Sequence, residues 1–369
     1  MTDDGAKGGR FFARTGFWLT TALLWLLCGV WYFLPRQSGQ VELWYSRGLF
    51  KSLAFLIVPL TDSLPFSLAI TLLVAFPLVL AGVFVAEVIS ALRQKEKVTI
   101  RVLSRGIKIL LFLLPFLWCW FLLFWGIGYG RDPMETRLHM DNEAVAESEL
   151  LQIADTLYGV LTRDLPRDAE ERNISRAVRS ISYAMQRVVL RWEGRSAAVP
   201  RRVKATPPGL LLLNGTSGIC SPYTLEAHVD GALPDTFFVA VAAHELGHIA
   251  GVCDEGETNL IGYAAGLQAE NSYARYCVAL DLYVDVARQL SPELRQAAMA
   301  RLPQSALDDI RKAGEASRRY RIEFFHKWSW RMYNHYLKSQ GVKDGVRSYG
   351  RGVQLVVKAW RAGMLPLAG

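Results

Sequence analysis

The chain has 369 residues, of which 51% are hydrophobic and 21% charged, with 42 Lys/Arg against 34 Asp/Glu and a net charge of +8. The mean hydropathy is +0.16, so apolar residues should be gathered into long stretches. Residues 1–130 carry 12 Lys/Arg and 6 Asp/Glu, whereas residues 131–369 are nearly balanced at 30 and 28. A basic front and a neutral remainder argue against a nucleic-acid-binding protein, whose positive charge would stripe the folded domain, and five cysteines exclude a disulfide-rich scaffold.

In chain order, three apolar stretches come first. Residues 17–34, 66–92 and 109–129 are each long enough to cross ~30 Å of hydrocarbon as a helix. The shorter run 49–60, interrupted by Lys51 and Pro59, reads as interfacial, because roughly 18 apolar residues are needed to span. The first stretch lacks a small-residue cleavage site and precedes two further spans, so it reads as a retained helix rather than a signal peptide. Lys7, Arg10 and Arg14 precede it, and Arg93, Lys95, Lys97, Arg101 and Arg105 fill the loop after the second stretch. The positive-inside rule puts both segments in the cytoplasm and sends residues 131–369 to the outer face. The expected architecture is a membrane domain, 1–130, followed by a mostly helical α+β domain with a small sheet, 131–369.

Two amphipathic helices are expected over 146–194. Pro and Gly at 200–209 interrupt the pattern, and a strand-like run follows from Leu210 to Val229. Next comes a helix over TFFVAVAAHELGHIAGV, and helical periodicity resumes from about Glu257 to Trp330. Within that first helix, His244-Glu245-Leu246-Gly247-His248 places two imidazoles on one face at i and i+4, with Glu245 beside them. A catalytic zinc takes three protein ligands and leaves one position open. Asp254, Glu255 and Glu257 are the acids nearby; Glu257 is the expected third ligand and Glu255 the alternative. On this reading zinc acidifies a water, Glu245 accepts its proton, and a peptide bond is hydrolysed. Asn259 is the candidate for orienting a ligand from behind. His326 and His335, on an aromatic helix, read as packing residues. Outside the cytoplasm one cysteine pair, Cys253 with Cys277, can form a disulfide.

The segment HELGHIAGVCDEGETNLIGYAAG resembles the bacterial membrane-protein family called domain of unknown function 3810, in which H-E-x-x-H is followed by E-x-E-x-N. WGIGYGRDPMETRL after the last span, GICSPYTLEAHV before the metal helix and YLKSQGVKDGVRSYGRGVQL near the C-terminus extend the resemblance over nearly the whole chain. It implies a zincin-like metallopeptidase core of the gluzincin type, and a bacterial cytoplasmic membrane as the location. It also places Tyr349 and Arg351 in a recurrent motif, which makes them the candidates for stabilising the oxyanion. The strand 221–229 is expected to be the edge on which a peptide substrate pairs, with Tyr223, Glu226 and His228 as substrate contacts; His228 departs from the family pattern, which has Asn there. The competing class is a catalytically inert sensor or scaffold, against which the presence of Glu245 argues. An intramembrane protease is disfavoured because H-E-x-x-H lies over 100 residues beyond the last apolar stretch.

Overall fold

An uninterrupted apolar segment has only its own backbone to satisfy its N–H and C=O groups, and the front of the chain is accordingly helical. The structure is a computed structural model that describes residues 3–33, 38–94, 98–340 and 350–365. Helix α1 (Asp3–Phe33) is followed by a single turn, α2 (Ser38–Gln40), a π-helical segment (Val41–Leu49) and α3 (Phe50–Ser63). Helices α4 (Leu68–Arg93) and α5 (Val98–Phe124) then form an antiparallel pair, joined across their surfaces by an Arg105–Glu87 ion pair of 3.0 Å.

Among the described residues two helices, not the three expected, are long and apolar enough to cross a membrane: Leu68–Arg93 and Val102–Phe124. Among the described residues Thr15–Val30 of α1 is a shorter apolar helix, and the end of the expected stretch 17–34 lies outside them. None of the most apolar window of α4 is covered by protein, as suits a helix surrounded by lipid. The run expected to be interfacial is largely α3, whose Ala54, Val58 and Thr61 are buried while Phe55, Leu56 and Leu60 are exposed.

A 3-10 turn (Gly126–Gly130) and the short α6 (Met134–Arg137) lead into α7 (Glu147–Arg163) and α8 (Ile174–Glu193). Strands β1 (Lys204–Thr206), β2 (Gly218–Ser221) and β3 (Glu226–Asp230) make the only sheet among the described residues, in the order β1-β3-β2, with β1 parallel and β2 antiparallel to β3. The rest is helical: α9 (Asp235–Ile249), α10 (Glu255–Leu267), α11 (Ser272–Gln289), α12 (Pro292–Ala300), α13 (Gln304–Tyr320), α14 (Glu323–Ser339) and α15 (Arg351–Arg361). The main core gathers α7, α8, α9, α10, α11 and α15. The strand expected over 221–229 is thus β3, and it lies in the middle of the sheet with every residue buried. The edges are β1 and β2, and β2 pairs antiparallel with β3 after the chain turns back between Ser221 and Glu226.

Residue 130 does not divide two cores. Val41, Tyr45, Phe50, Leu122, Phe124 and Trp125 from the front share a cluster with Cys220, Leu225, Ile249 and Cys253. Cys253 and Cys277 are not paired, since they are buried in different clusters. Polar contacts cross the same boundary. Glu226 accepts hydrogen bonds from the first free N–H groups of α4, those of Leu68 (3.0 Å) and Ala69 (2.7 Å), and pairs with Lys204. Ser67 caps the same helix through Ile70 N–H and meets His228 Nε2 at 2.7 Å.

At the hinge between front and remainder, Glu193 is surrounded by Arg131 (3.1 Å), Arg137 and Arg195 (2.5 Å). Burial opposes ionisation of Glu193, yet the three guanidinium groups hold its carboxyl well below the usual range. Removing one member of a buried charge cluster leaves the others uncompensated, at about 3–5 kcal/mol. Glu193→Gln should therefore lower the unfolding free energy of the detergent-solubilised chain by about that amount, measured by denaturant titration of tryptophan fluorescence; a loss below ~1 kcal/mol would show that the cluster is dispensable.

Candidate active site

Helix α9 carries His244, Glu245 and His248 into the interior, where Glu245 and His248 are buried. Its C-terminus is closed by Gly251, which takes φ +93, a left-handed conformation suited to glycine at a helix end. Two buried arginines cover the exposed carbonyls there: Arg195 donates to Ala250 O (2.8 Å) and Arg131 to Gly251 O (3.1 Å). Positive charge at this end also suits the helix dipole. The chain then re-enters as α10, with Asp254 as N-cap, its side chain accepting from Glu257 N–H at 3.0 Å.

The first residue of α10, Glu255, meets both imidazoles. Its Oε2 lies 3.1 Å from His244 Nε2 and 3.4 Å from His248 Nε2, and the two rings are perpendicular with centroids 4.7 Å apart. The far nitrogens are already engaged, His244 Nδ1 with Asn259 Oδ1 (2.6 Å) and His248 Nδ1 with Val252 O (2.8 Å). A carbonyl only accepts, so His248 Nδ1 carries the proton, and the paired amide oxygen of Asn259 assigns the same tautomer to His244. Each neutral ring then turns a lone pair toward the same carboxylate oxygen, an arrangement that requires either an extra proton or a cation. Among the described residues His244, His248 and Glu255 form the group able to hold a metal ion, with ligand atoms within 4.8 Å of one another.

Glu257 is not in this group, which corrects the expectation from the sequence. Its carboxylate accepts from Met134 N–H (2.7 Å) and Arg137 (2.9 Å) on the side of α10 away from α9. Residues two apart on a helix lie about 200° apart around its axis, so Glu255 and Glu257 cannot both face α9. Glu255 and Asn259 are four apart and share a face, which is why both reach His244. The candidate oxyanion residue Arg351 is also engaged elsewhere, pairing with Asp254 (3.1 Å) and Glu257 (3.7 Å); Tyr349 lies outside the described residues. Glu226 and His228 are buried against the start of α4, as described above, rather than turned toward His244, His248 and Glu255. The Tyr223 side chain is exposed, and its carbonyl accepts from Trp120 Nε1 at 3.2 Å. His326 bonds Asn214 O (2.9 Å), a packing role, and His335 is exposed.

Glu245 turns into a cavity of about 540 Å³ that His244, His248 and Glu255 also line. One wall is the edge strand β2, where Gly218 leaves room for Glu245: a Cβ there would come within 2.5 Å of Oε1. Much of the remaining lining is aromatic, with Phe121, Trp125 and Tyr129 from the end of α5 and the turn after it and Trp328, Tyr333 and Tyr336 from α14. Tyr333, which sequence reasoning did not single out, bonds Glu255 Oε1. The ring of Trp125 lies 5.1 Å from that of His248.

Burial pushes the Glu245 carboxyl up to about 8; the charge of Glu255 adds to this and His244 opposes it. Its Oε2 is buried and has no hydrogen-bond partner among the described residues. For His248 burial works against protonation, but the adjacent Glu255 carboxylate raises its pKa above the ordinary value. Glu255 itself is driven well below the carboxylate range by the two imidazoles, despite its burial.

These groups predict a pH dependence. In ion-free protein the folded state keeps the Glu245 proton up to about pH 8, while an unfolded chain releases it near 4.5. Stability contributed by this group is therefore full below 4.5 and lost as pH rises toward 8. Glu245→Gln should leave the thermal midpoint unchanged at pH 4 and raise it by a few degrees at pH 9 in the presence of chelator. Equal midpoints for parent and variant at both pH values would show that the carboxyl is not desolvated.

The family described as "Protein of unknown function (DUF3810)" matches residues 45–357, more than four-fifths of the chain, and the chain belongs to it. No curated protein and no solved structure matches. The match begins within the π-helical segment ahead of α3, in line with a site whose walls include residues from the front third.

Proposed function

We propose that this family member is a zinc-dependent peptidase anchored in the bacterial cytoplasmic membrane, with His244, His248 and Glu255 as metal ligands and Glu245 as general base. The supporting observation is the tautomer arrangement. Two imidazoles have their Nδ1 protons committed to Asn259 and Val252, and their Nε2 lone pairs converge on one carboxylate oxygen. Beside them stands the buried carboxyl of Glu245, one oxygen of which has no partner among the described residues. Two histidines and one carboxylate suit zinc.

When bound, zinc would supply a Lewis acid that polarises a scissile carbonyl and acidifies a water. The chain's own groups do the rest. Glu245 takes the proton of the attacking water and delivers it to the leaving amine. Asn259 and Val252 O fix the imidazole tautomers, and Tyr333 holds the second oxygen of Glu255. The free edge of β2 lies along the cavity and offers main-chain groups to an extended peptide. A helix bearing H-E-x-x-H, an adjacent edge strand and a third ligand from the following helix are the parts of a zincin-like centre.

The membrane orientation belongs to the same reading. Arg93 at the end of α4, Lys95 and Lys97 after it in the sequence, and Arg101 and Arg105 in the first turns of α5 form a basic cluster at the looped end of the helical pair, and the start of α4 and the end of α5 meet the site domain. A cytoplasmic loop then places the catalytic domain on the outer face.

Elemental analysis of the purified full chain tests the metal site. Parent protein and Glu245→Gln should each carry about one zinc per chain, and Glu257→Ala should keep it, whereas His244→Ala and Glu255→Ala should lose it. Asn259→Ala should weaken zinc affinity by about 10–100-fold. With an unspecific peptide library as substrate, Glu245→Gln should lower turnover by about 10²–10⁴-fold while retaining zinc. A folded parent protein that takes up no added zinc would overturn the proposal.

A further inference from the structure

The cavity opens where the apolar helices end. Phe121 lies in the last turn of α5 and Trp125 directly after it, and both line the cavity. The apolar stretch Val102–Phe124 is about 34 Å long at 1.5 Å per residue, against ~30 Å of hydrocarbon. Phe121 therefore sits at the boundary between acyl chains and headgroups. The start of α4, held by Glu226, lies at the same end of the helical pair.

Contacts run without a break from the lipid-facing surface of α5 into the cavity. Trp118 is 41% exposed and stacks on Phe121, with centroids 5.4 Å apart. Phe121 in turn meets Tyr336 of α14 edge-on at 6.0 Å. Across the opening, Trp328 and Met332 of α14 line the cavity and remain 59% and 54% exposed. Phe324, four residues before Trp328, extends the same stripe and is 72% exposed. Such an apolar lip facing water would be unfavourable for a soluble peptidase. Next to a membrane it matches the surface of an apolar helix.

On the peptidase reading above, we infer that the substrate is a membrane-inserted polypeptide. Its apolar segment docks between the end of α5 and the α14 lip, and cleavage falls within a few residues of the outer end of that segment. The aromatic walls select for apolar residues on the membrane side of the scissile bond, while the edge of β2 receives the extended portion beyond it.

The test uses full-length Glu245→Gln protein with the photoreactive residue benzoylphenylalanine at position 332, or at exposed Arg311 on α13 as a control, in phosphatidylethanolamine–phosphatidylglycerol vesicles. Three probes share one polar extension: one on a 20-residue spanning leucine–alanine segment, one on a palmitoyl chain and one unanchored. Position 332 should label the spanning probe at least fivefold more than the palmitoylated probe, which has the same surface concentration, and position 311 should not discriminate. Equal labelling of the two anchored probes would overturn the inference in favour of simple membrane tethering. Crosslinking of position 332 to a second copy of the chain, with no probe labelled, would overturn it in favour of self-association. Because the variant does not turn over, labelling is independent of catalysis. The zinc content of the same preparation reports separately on the peptidase reading.

Discussion

Three guanidinium groups converge on the carboxylate of Glu193, and much of the molecule is arranged around that point. Arg131 and Arg137 come from the segment directly after α5, Glu193 ends α8, and Arg195 follows it. From there Arg131 and Arg195 reach the terminal carbonyls of α9, and Arg137 reaches Glu257 on α10. One buried cluster thereby fixes where the apolar front joins the remainder, where α9 stops and how α10 leaves it. So much charge away from water is tolerable only when every member is paired. That requirement makes the geometry stiff around the neighbouring His244, His248 and Glu255 group.

The same logic explains why two nearby acids differ so much. Glu255 faces two imidazoles and is held ionised by them, whereas burial without an adequate partner leaves Glu245 protonated until about pH 8. Glu257 is buried as deeply but is engaged by Arg137 and a backbone N–H, which makes it a strut between α10 and the front of the chain. Neighbouring carboxylates on two helices thus separate into one held ionised, one held protonated and one bridging two segments, according to what each side chain faces.

The front third is more than an anchor. Its helices supply cavity walls through Phe121 and Trp125, and the first turn of α4 is bound to the central strand by Glu226 and His228. Those two residues stand in the apolar-polar pattern of a strand that looked like an exposed edge. With three strands so short, pairing order cannot be inferred from alternation, because it depends on where the chain turns between Ser221 and Glu226 and on what covers the far face.

From the amino-acid sequence alone, the periodicity of an α-helix is enough to bring His244, Glu245 and His248 to one face, and apolar runs are enough to make α4 and α5 helices. Both are local properties, set by the backbone's own hydrogen bonds and by spacing along one element. The same spacing also distinguishes Glu255 from Glu257, since only Glu255 shares a face with Asn259; choosing between them required knowing which face of α10 turns toward α9. That choice, the capture of Arg351 by Asp254 and Glu257, and the arrival of Tyr333 at Glu255 from a helix 78 residues away in sequence were decided by tertiary structure. They depend on which surfaces are buried together, and no short-range pattern in a single chain encodes the partner of a face.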